Sequence, residues 1–276
     1  IWHSQRQSWL WVDILEKKIF ELKFSQQKQA PTEYTLPKMP SVIAEVDIDH
    51  IVVVMEGTLL RLNLSSGDHT EICDLPISDD FRTNDGGVCD NGLLWFSSMH
   101  KTSPDKYPGS IYSIDSQLKI KCHGNSIIHI ANTFCWLDKH NVLISDSYLQ
   151  KMYKVPFDGE SLHWQNKKLF LDLSTTDAAP DGGAIDERNQ LWNAQWGASR
   201  VTCYSQSGEF EEEIRLDVTQ PSSCCFGGPE GRHLLITSAR EGLSNNELQE
   251  YPLSGSVFCV ALNVKGKCIP SFKMDN

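Results

Sequence analysis

A chain of 276 residues with 25 Lys and Arg against 36 Asp and Glu carries a formal net charge of −11. That excess of negative charge repels a polyanion at long range and argues against nucleic acid as a partner. Hydrophobic residues make up 40% of the chain, enough for a full globular core, and no apolar run approaches a membrane span, so a soluble protein without a membrane partner is expected.

Six short apolar runs predict strands in chain order: Trp9–Ile14 (WLWVDI), Ile51–Glu56 (IVVVME), Leu93–Ser98 (LLWFSS), Val142–Ser147 (VLISDS), Leu191–Gln195 (LWNAQ) and His233–Ser238 (HLLITS). Each is followed by a run in which apolar and polar residues alternate: Lys18–Phe24, Leu59–Leu64, Ser110–Ile114, Lys151–Val155, Arg200–Tyr204 and Ser256–Ala261. Alternation with period two marks a strand with one buried face. Ser66-Gly67-Asp68, Asp158-Gly159 and Ser207-Gly208 supply the backbone freedom that hairpin turns need. Each repeat thus reads as strand, short loop, strand, hairpin, strand.

The starts of the six runs lie roughly 42 to 49 residues apart, the period of a β-propeller blade. The expected fold class is all-β, a six-bladed β-propeller, with residues 1–276 as a single domain. No helical periodicity is long enough to compete. The polar segments Thr102–Pro108 and Glu241–Pro252 read as surface loops, with a lid beside an axial pocket as the alternative.

Nine cysteines, an odd number without CxxC spacing, read as reduced and mostly buried small hydrophobes, which points to a cytoplasmic compartment. The histidines lack zinc-site spacing, and no GxSxG elbow is present. Trp95 and Trp192, inside the repeated strands, are expected in the core.

Three segments precede repeated strands at matched places: Arg82-Thr83-Asn84-Asp85-Gly86-Gly87, Ile130-Ala131-Asn132-Thr133 and Ala179-Pro180-Asp181-Gly182-Gly183. Matched positions in different blades of a propeller share one face. Asn84, Asn132 and Asp181 offer two amide oxygens and a carboxylate, an all-oxygen set of the kind that hard cations take. Taken singly, Asn-Asp-Gly and Pro-Asp-Gly are ordinary turn sequences.

The segments RTNDGG, IANTFCW and PDGGAID, with SSCCFGG and LLITSAREG near Ser222–Gly242, resemble the senescence marker protein (regucalcin) and gluconolactonase family, in its regucalcin-like branch. The resemblance runs through nearly the whole chain in order. It implies a six-bladed propeller that binds one divalent cation and hydrolyses sugar lactones to aldonic acids. Carried over by position, it implies Asn132 and Asp181 as metal ligands and Asp181 as the catalytic acid or base. Arg82 and Asn84 would contact substrate, and Gly86 and Gly182 would permit tight turns. The cation is expected to be Ca²⁺, with Zn²⁺, Mn²⁺ or Mg²⁺ as alternatives, and its role would be to polarise the lactone carbonyl.

Two departures accompany the resemblance. The family's first metal ligand is a Glu in a Glu-x-Pro-x-Trp motif. Ile1-Trp2 resembles the last two positions, which would put that Glu upstream of Ile1, together with a short N-terminal segment expected to close the last blade. The family's acidic substrate loop is replaced here by His100-Lys101-Thr102, where Lys101 could favour an anionic substrate or stay solvated. The expected partner is a small-molecule sugar lactone, and the protein a monomer or weak dimer. The alternative function is a non-catalytic calcium- or ligand-binding propeller. A platform of the WD-repeat type lacks its Gly-His and Trp-Asp pairs.

Overall fold

A computed structural model describes residues 1–275. Six antiparallel sheets follow one another along the chain. The first holds β1 (Trp2–His3), β2 (Ser8–Asp13), β3 (Lys18–Lys23) and β4 (Thr32–Thr35). The second holds β5 (Pro40–Glu45), β6 (His50–Met55), β7 (Thr58–Asn63) and β8 (His69–Asp74). The third is built from β9 (Phe81–Val88), β10 (Leu94–His100), β11 (Gly109–Ile114) and β12 (Ile120–Ile128). Next come β13 (Ala131–Asp138), β14 (Asn141–Asp146), β15 (Lys151–Pro156) and β16 (Lys168–Asp172). The fifth sheet has β17 (Ala179–Ile185), β18 (Leu191–Trp196), β19 (Arg200–Tyr204) and β20 (Phe210–Arg215). The sixth has β21 (Pro221–Gly227), β22 (His233–Ser238) and β23 (Val257–Ala261). These are the blades of a six-bladed β-propeller, as the repeat spacing predicts.

The blades fall into two compact units of three. In the first unit, β6 explains the fold locally. Its run Ile51-Val52-Val53-Val54-Met55 is fully buried on both faces. Ile51 and Val53 pack with Leu10, Ile19 and Leu60, while Val52 and Val54 pack with Leu94, Phe96 and Tyr112. A strand covered on both sides needs no polar alternation, which is why the repeats read as continuous apolar runs. The second unit repeats the pattern in β18: Leu191 joins Leu143, Met152 and Tyr204, whereas Trp192 and Ala194 join Phe226, Leu234 and Ile236. Trp95 and Trp192 are buried, as expected.

Three features differ from the sequence expectation. Each apolar repeat is the second strand of its sheet and not the first, and the three segments ahead of repeats lie in first strands: β9 carries Arg82 and Asn84, β13 carries Asn132, and β17 carries Asp181. The Glu241–Pro252 segment is not all loop, because it holds a short helix, α1 (Asn245–Glu250), started by a capping box in which Ser244 and Glu247 bond reciprocally. All nine cysteines are free, but only Cys89, Cys135, Cys203 and Cys224 are buried, whereas Cys122, Cys259 and Cys268 are exposed. Burial pushes the Cys203 thiol up to about 12, which keeps it an unreactive core group.

Gly86 and Gly182 are likewise not in turns. They lie inside β9 and β17, beside bulges where Asn84-Asp85 face Ser97 and Asp181-Gly182 face Ala194. A bulge sets two residues against one and re-aims the side chains it carries. A glycine in a strand marks such a bulge or a close approach. A Cβ on Gly86 would fall 2.8 Å from Phe96 Cα, and one on Gly182 would fall 2.6 Å from Ser223 Cβ of β21.

One buried charge cluster organises the first blade. Glu21, 5% exposed, accepts Arg6 Nε at 2.8 Å, Arg6 Nη2 at 3.2 Å and Ser8 Oγ at 2.7 Å, and Tyr34 Oη lies 3.0 Å from it. Burial alone would raise the Glu21 carboxyl, but the bonds from Arg6, Ser8 and Tyr34 outweigh it and hold the group below its usual range.

Two predictions follow from these contacts. Glu21→Gln should lower unfolding free energy at pH 7 by about 2 kcal/mol in urea titrations. Because the folded-state pKa is depressed, wild type should lose this advantage as pH falls below about 4, and the two proteins should then converge. Gly182→Ala should cost about 1–3 kcal/mol by the same assay, and adding Ser223→Gly should recover part of the loss.

Candidate functional site

In the first unit, β9 brings Arg82 and Asn84 together. Arg82 lies two residues before Asn84, which sits in the bulge, and the two side chains meet. Arg82 Nη1 donates to Asn84 Oδ1 at 2.8 Å and to Thr83 O at 2.9 Å. The other arm of the amide, Asn84 Nδ2, donates to Ala131 O at 2.9 Å. Asn84 is only 8% exposed, so this amide is held in one orientation. An oxygen that already accepts from a guanidinium is a poor cation ligand, since the neighbouring charge repels a second positive one. Of the three oxygen groups singled out in the sequence, Asn84 is therefore the least suited to coordination.

The substitution His100-Lys101-Thr102 also has a definite geometry. Lys101 Nζ pairs with the Glu56 carboxylate and donates to Asp79 O at 2.7 Å, so its charge is matched within the protein. His100 Nδ1 accepts from the backbone N–H of Ser103 at 3.0 Å, and its ring stacks on Tyr107 with centroids 4.8 Å apart. Thr102–Pro108 is a loop, as expected.

In the second unit, a chain of hydrogen bonds ties Asn132 to the strand of Asp181. Asn132 Nδ2 donates to Ser147 Oγ at 2.7 Å, and Ser147 Oγ donates to Pro180 O at 2.7 Å. With its nitrogen turned to Ser147, the amide carries its oxygen on the opposite arm. The Asp181 backbone carbonyl accepts from Thr133 Oγ1 and, at 2.9 Å, from Asn193 Nδ2. Asn132 is 6% exposed and Asp181 half-buried.

Among the described residues, no three His, Cys, Asp or Glu gather where they could hold a metal ion. The donors that Asn132 and Asp181 supply are an amide oxygen and a carboxylate, which suit a hard, oxygen-seeking cation and not a soft one. Sequence reasoning missed the residues that support them: Thr133, Ser145, Ser147 and Asn193. Their signal was present, since VLISDS and LWNAQ place polar side chains inside otherwise apolar strands.

Other polar groups have local explanations. His123 is pulled down to about 4, first by burial and then by Lys121. Ser113 Oγ lies 2.7 Å from its Nε2, but the pair is packed against Trp95, whose ring centroid is 4.2 Å from that of His123. Surface clefts lined by Arg188, Gln190 and Ser205, or by His50, Arg61 and Asp68, contain none of the candidate residues.

Comparison with known proteins matches residues 1–240 to the family model described as "SMP-30/Gluconolactonase/LRE-like region". The chain is 28% identical over 276 residues to L-arabinolactonase of Azospirillum brasilense, covering 98% of this chain and 90% of that one. It is 26% identical over 274 residues to 6-deoxy-6-sulfogluconolactonase of Pseudomonas putida, covering 99% and 93%. Among solved structures, the calcium-binding protein regucalcin of Agrobacterium tumefaciens str. C58 superposes with a TM-score of 0.91 at 26% identity, covering 99% of this chain and 92% of that one. Matched along most of its length and in its blade architecture, the chain belongs to the SMP-30/gluconolactonase/LRE-like family.

Proposed function

We propose that this protein is a lactonase that opens sugar lactones to hydroxy acids with a divalent cation held by Asn132 and Asp181. The observation that carries the reading is the hydrogen-bonded tie between Asn132 and the strand of Asp181, in a chain whose relatives include an L-arabinolactonase and a 6-deoxy-6-sulfogluconolactonase. When bound, the cation would polarise the lactone carbonyl and stabilise the developing oxyanion. Ca²⁺ is the first choice, on the oxygen chemistry of the two side chains and the similarity to a calcium-binding regucalcin.

The remaining work falls to the chain's own groups. Asp181 Oδ takes the proton of the attacking water as its oxygen bonds to the carbonyl carbon. The ring C–O bond then breaks, and the leaving ring oxygen takes that proton from Asp181 to become the free hydroxyl. Asp181 can do this only through the carboxylate oxygen not engaged by the cation, because coordination lowers the basicity of the other. The family resemblance gives Arg82 and Asn84 the role of substrate contacts, and within the first unit Arg82 holds the Asn84 amide in one orientation. With Lys101 neutralised by Glu56, the reading favours a neutral lactone over an anionic one.

The similarity to a calcium-binding protein favours one second reading, a propeller that binds Ca²⁺ without turnover. Proton release from glucono-δ-lactone and neutral pentonolactones, before and after chelation and after adding back Ca²⁺, Mn²⁺ or Zn²⁺, separates the two. Metal-dependent turnover is expected, with Asp181→Ala lowering kcat/KM by about 10²–10⁴-fold. Folded protein that takes up Ca²⁺ but turns over no lactone would establish the binding reading instead.

A further inference from the structure

We propose that Thr133 is the positioning residue of the cation site, a role that rests on reading Asn132 and Asp181 as the ligands. Eight non-glycine residues among those described have positive φ, and Thr133, at 57°, is the β-branched one. It is also the one that is buried, with 0% exposure. The others are turn or surface positions such as Gln7, Lys17 and Ser126. A β-branched side chain crowds its own backbone in the left-handed region, so the conformation persists only where surrounding contacts impose it. Strain of this kind concentrates where geometry serves function.

The contacts that impose it are specific. Thr133 follows Asn132 directly in β13, and its hydroxyl donates across to the backbone carbonyl of Asp181. The same oxygen accepts from Asn193 Nδ2 at 3.0 Å, and Ser145 Oγ lies 3.2 Å away. Asn193 in turn donates to Asp181 O at 2.9 Å, so both donors on that carbonyl are joined through Thr133. On the other side, Ser147 links Asn132 to Pro180 O, the residue before Asp181. The two ligand residues are thereby braced from both flanks, and Thr133, Ser145 and Asn193 are fully buried, with no water to compete for their bonds. An outer-shell group of this sort sets the direction of the ligands without touching the ion.

The test is calorimetric titration of chelator-stripped protein with CaCl₂ alone, beside thermal melts of the same samples. Thr133→Val keeps the branched shape and removes the hydroxyl. It should weaken Ca²⁺ binding by about tenfold or more, while Thr133→Ser, which keeps the hydroxyl, should stay within about threefold of wild type. Should Thr133→Val fail to fold, Thr133→Ala removes the same hydroxyl with less crowding and is expected to show the same loss. Folded Val or Ala protein that binds Ca²⁺ as wild type does, with only its melting temperature lowered, would reduce Thr133 to a structural role and overturn the proposal. Wild-type protein that takes up neither Ca²⁺ nor, in parallel titrations, Mn²⁺ or Zn²⁺ would overturn the ligand reading itself, and the positioning role with it.

Discussion

Burial of the second strand on both faces is the constraint from which the rest of each blade follows. A run such as Ile51–Met55 cannot satisfy its hydrophobic surface with one neighbour, so blades must be stacked to cover it. Each contact layer then belongs to two sheets at once: Val52 and Val54 of one blade share a cluster with Phe96 and Tyr112 of the next. The flanking third and fourth strands are progressively wetter, as the exposed pattern of β8 and β20 shows. Glu21 marks the exception, a carboxylate brought inside and tolerated because Arg6, Ser8 and Tyr34 meet it.

The same packing makes the first strands chemically expensive, and there the candidate residues sit. Thr83, Asn84, Asn132 and Thr133, with Asn193 on an adjoining second strand, are all nearly or fully buried polar groups. Left unpaired, each would cost about 1–3 kcal/mol, so their hydrogen bonds are obligatory. Obligatory bonds in a dry setting fix orientation, which is how Arg82 aims Asn84 and how Ser147 aims Asn132. The bulges in β9 and β17 complete the device, since they free Asn84 and Asp181 from the strict alternation that would otherwise dictate where they point.

The segment His100-Lys101-Thr102 starts at the end of β10, where the His100 ring packs against Phe81 and Tyr107. Lys101 shows how misleading a lone charge is in sequence: Glu56, 45 residues earlier, cancels it. The cysteines make a similar point, because nine residues of one kind divide between core positions such as Cys224 and exposed ones such as Cys122.

The sequence by itself determined the blade number and the identity of the repeated strands, because two-sided burial writes an unbroken apolar run and the runs recur at one spacing. Ser244 and Glu247 also spelled out a capping box, a local signal that was legible in SNNE and passed over within a polar stretch. Residue types at matched places singled out Asn84, Asn132 and Asp181 as candidates, and the family resemblance added Arg82. Tertiary structure alone decided that Asn-Asp-Gly and Pro-Asp-Gly are bulges and not turns, since the same residues permit both and only the neighbouring strand selects one. It alone decided that Thr133 holds a left-handed conformation against the preference of its own side chain, because the partners that impose it, Asn193 and the carbonyl of Asp181, lie about 50 to 60 residues away in sequence and are brought to it by packing of the blades.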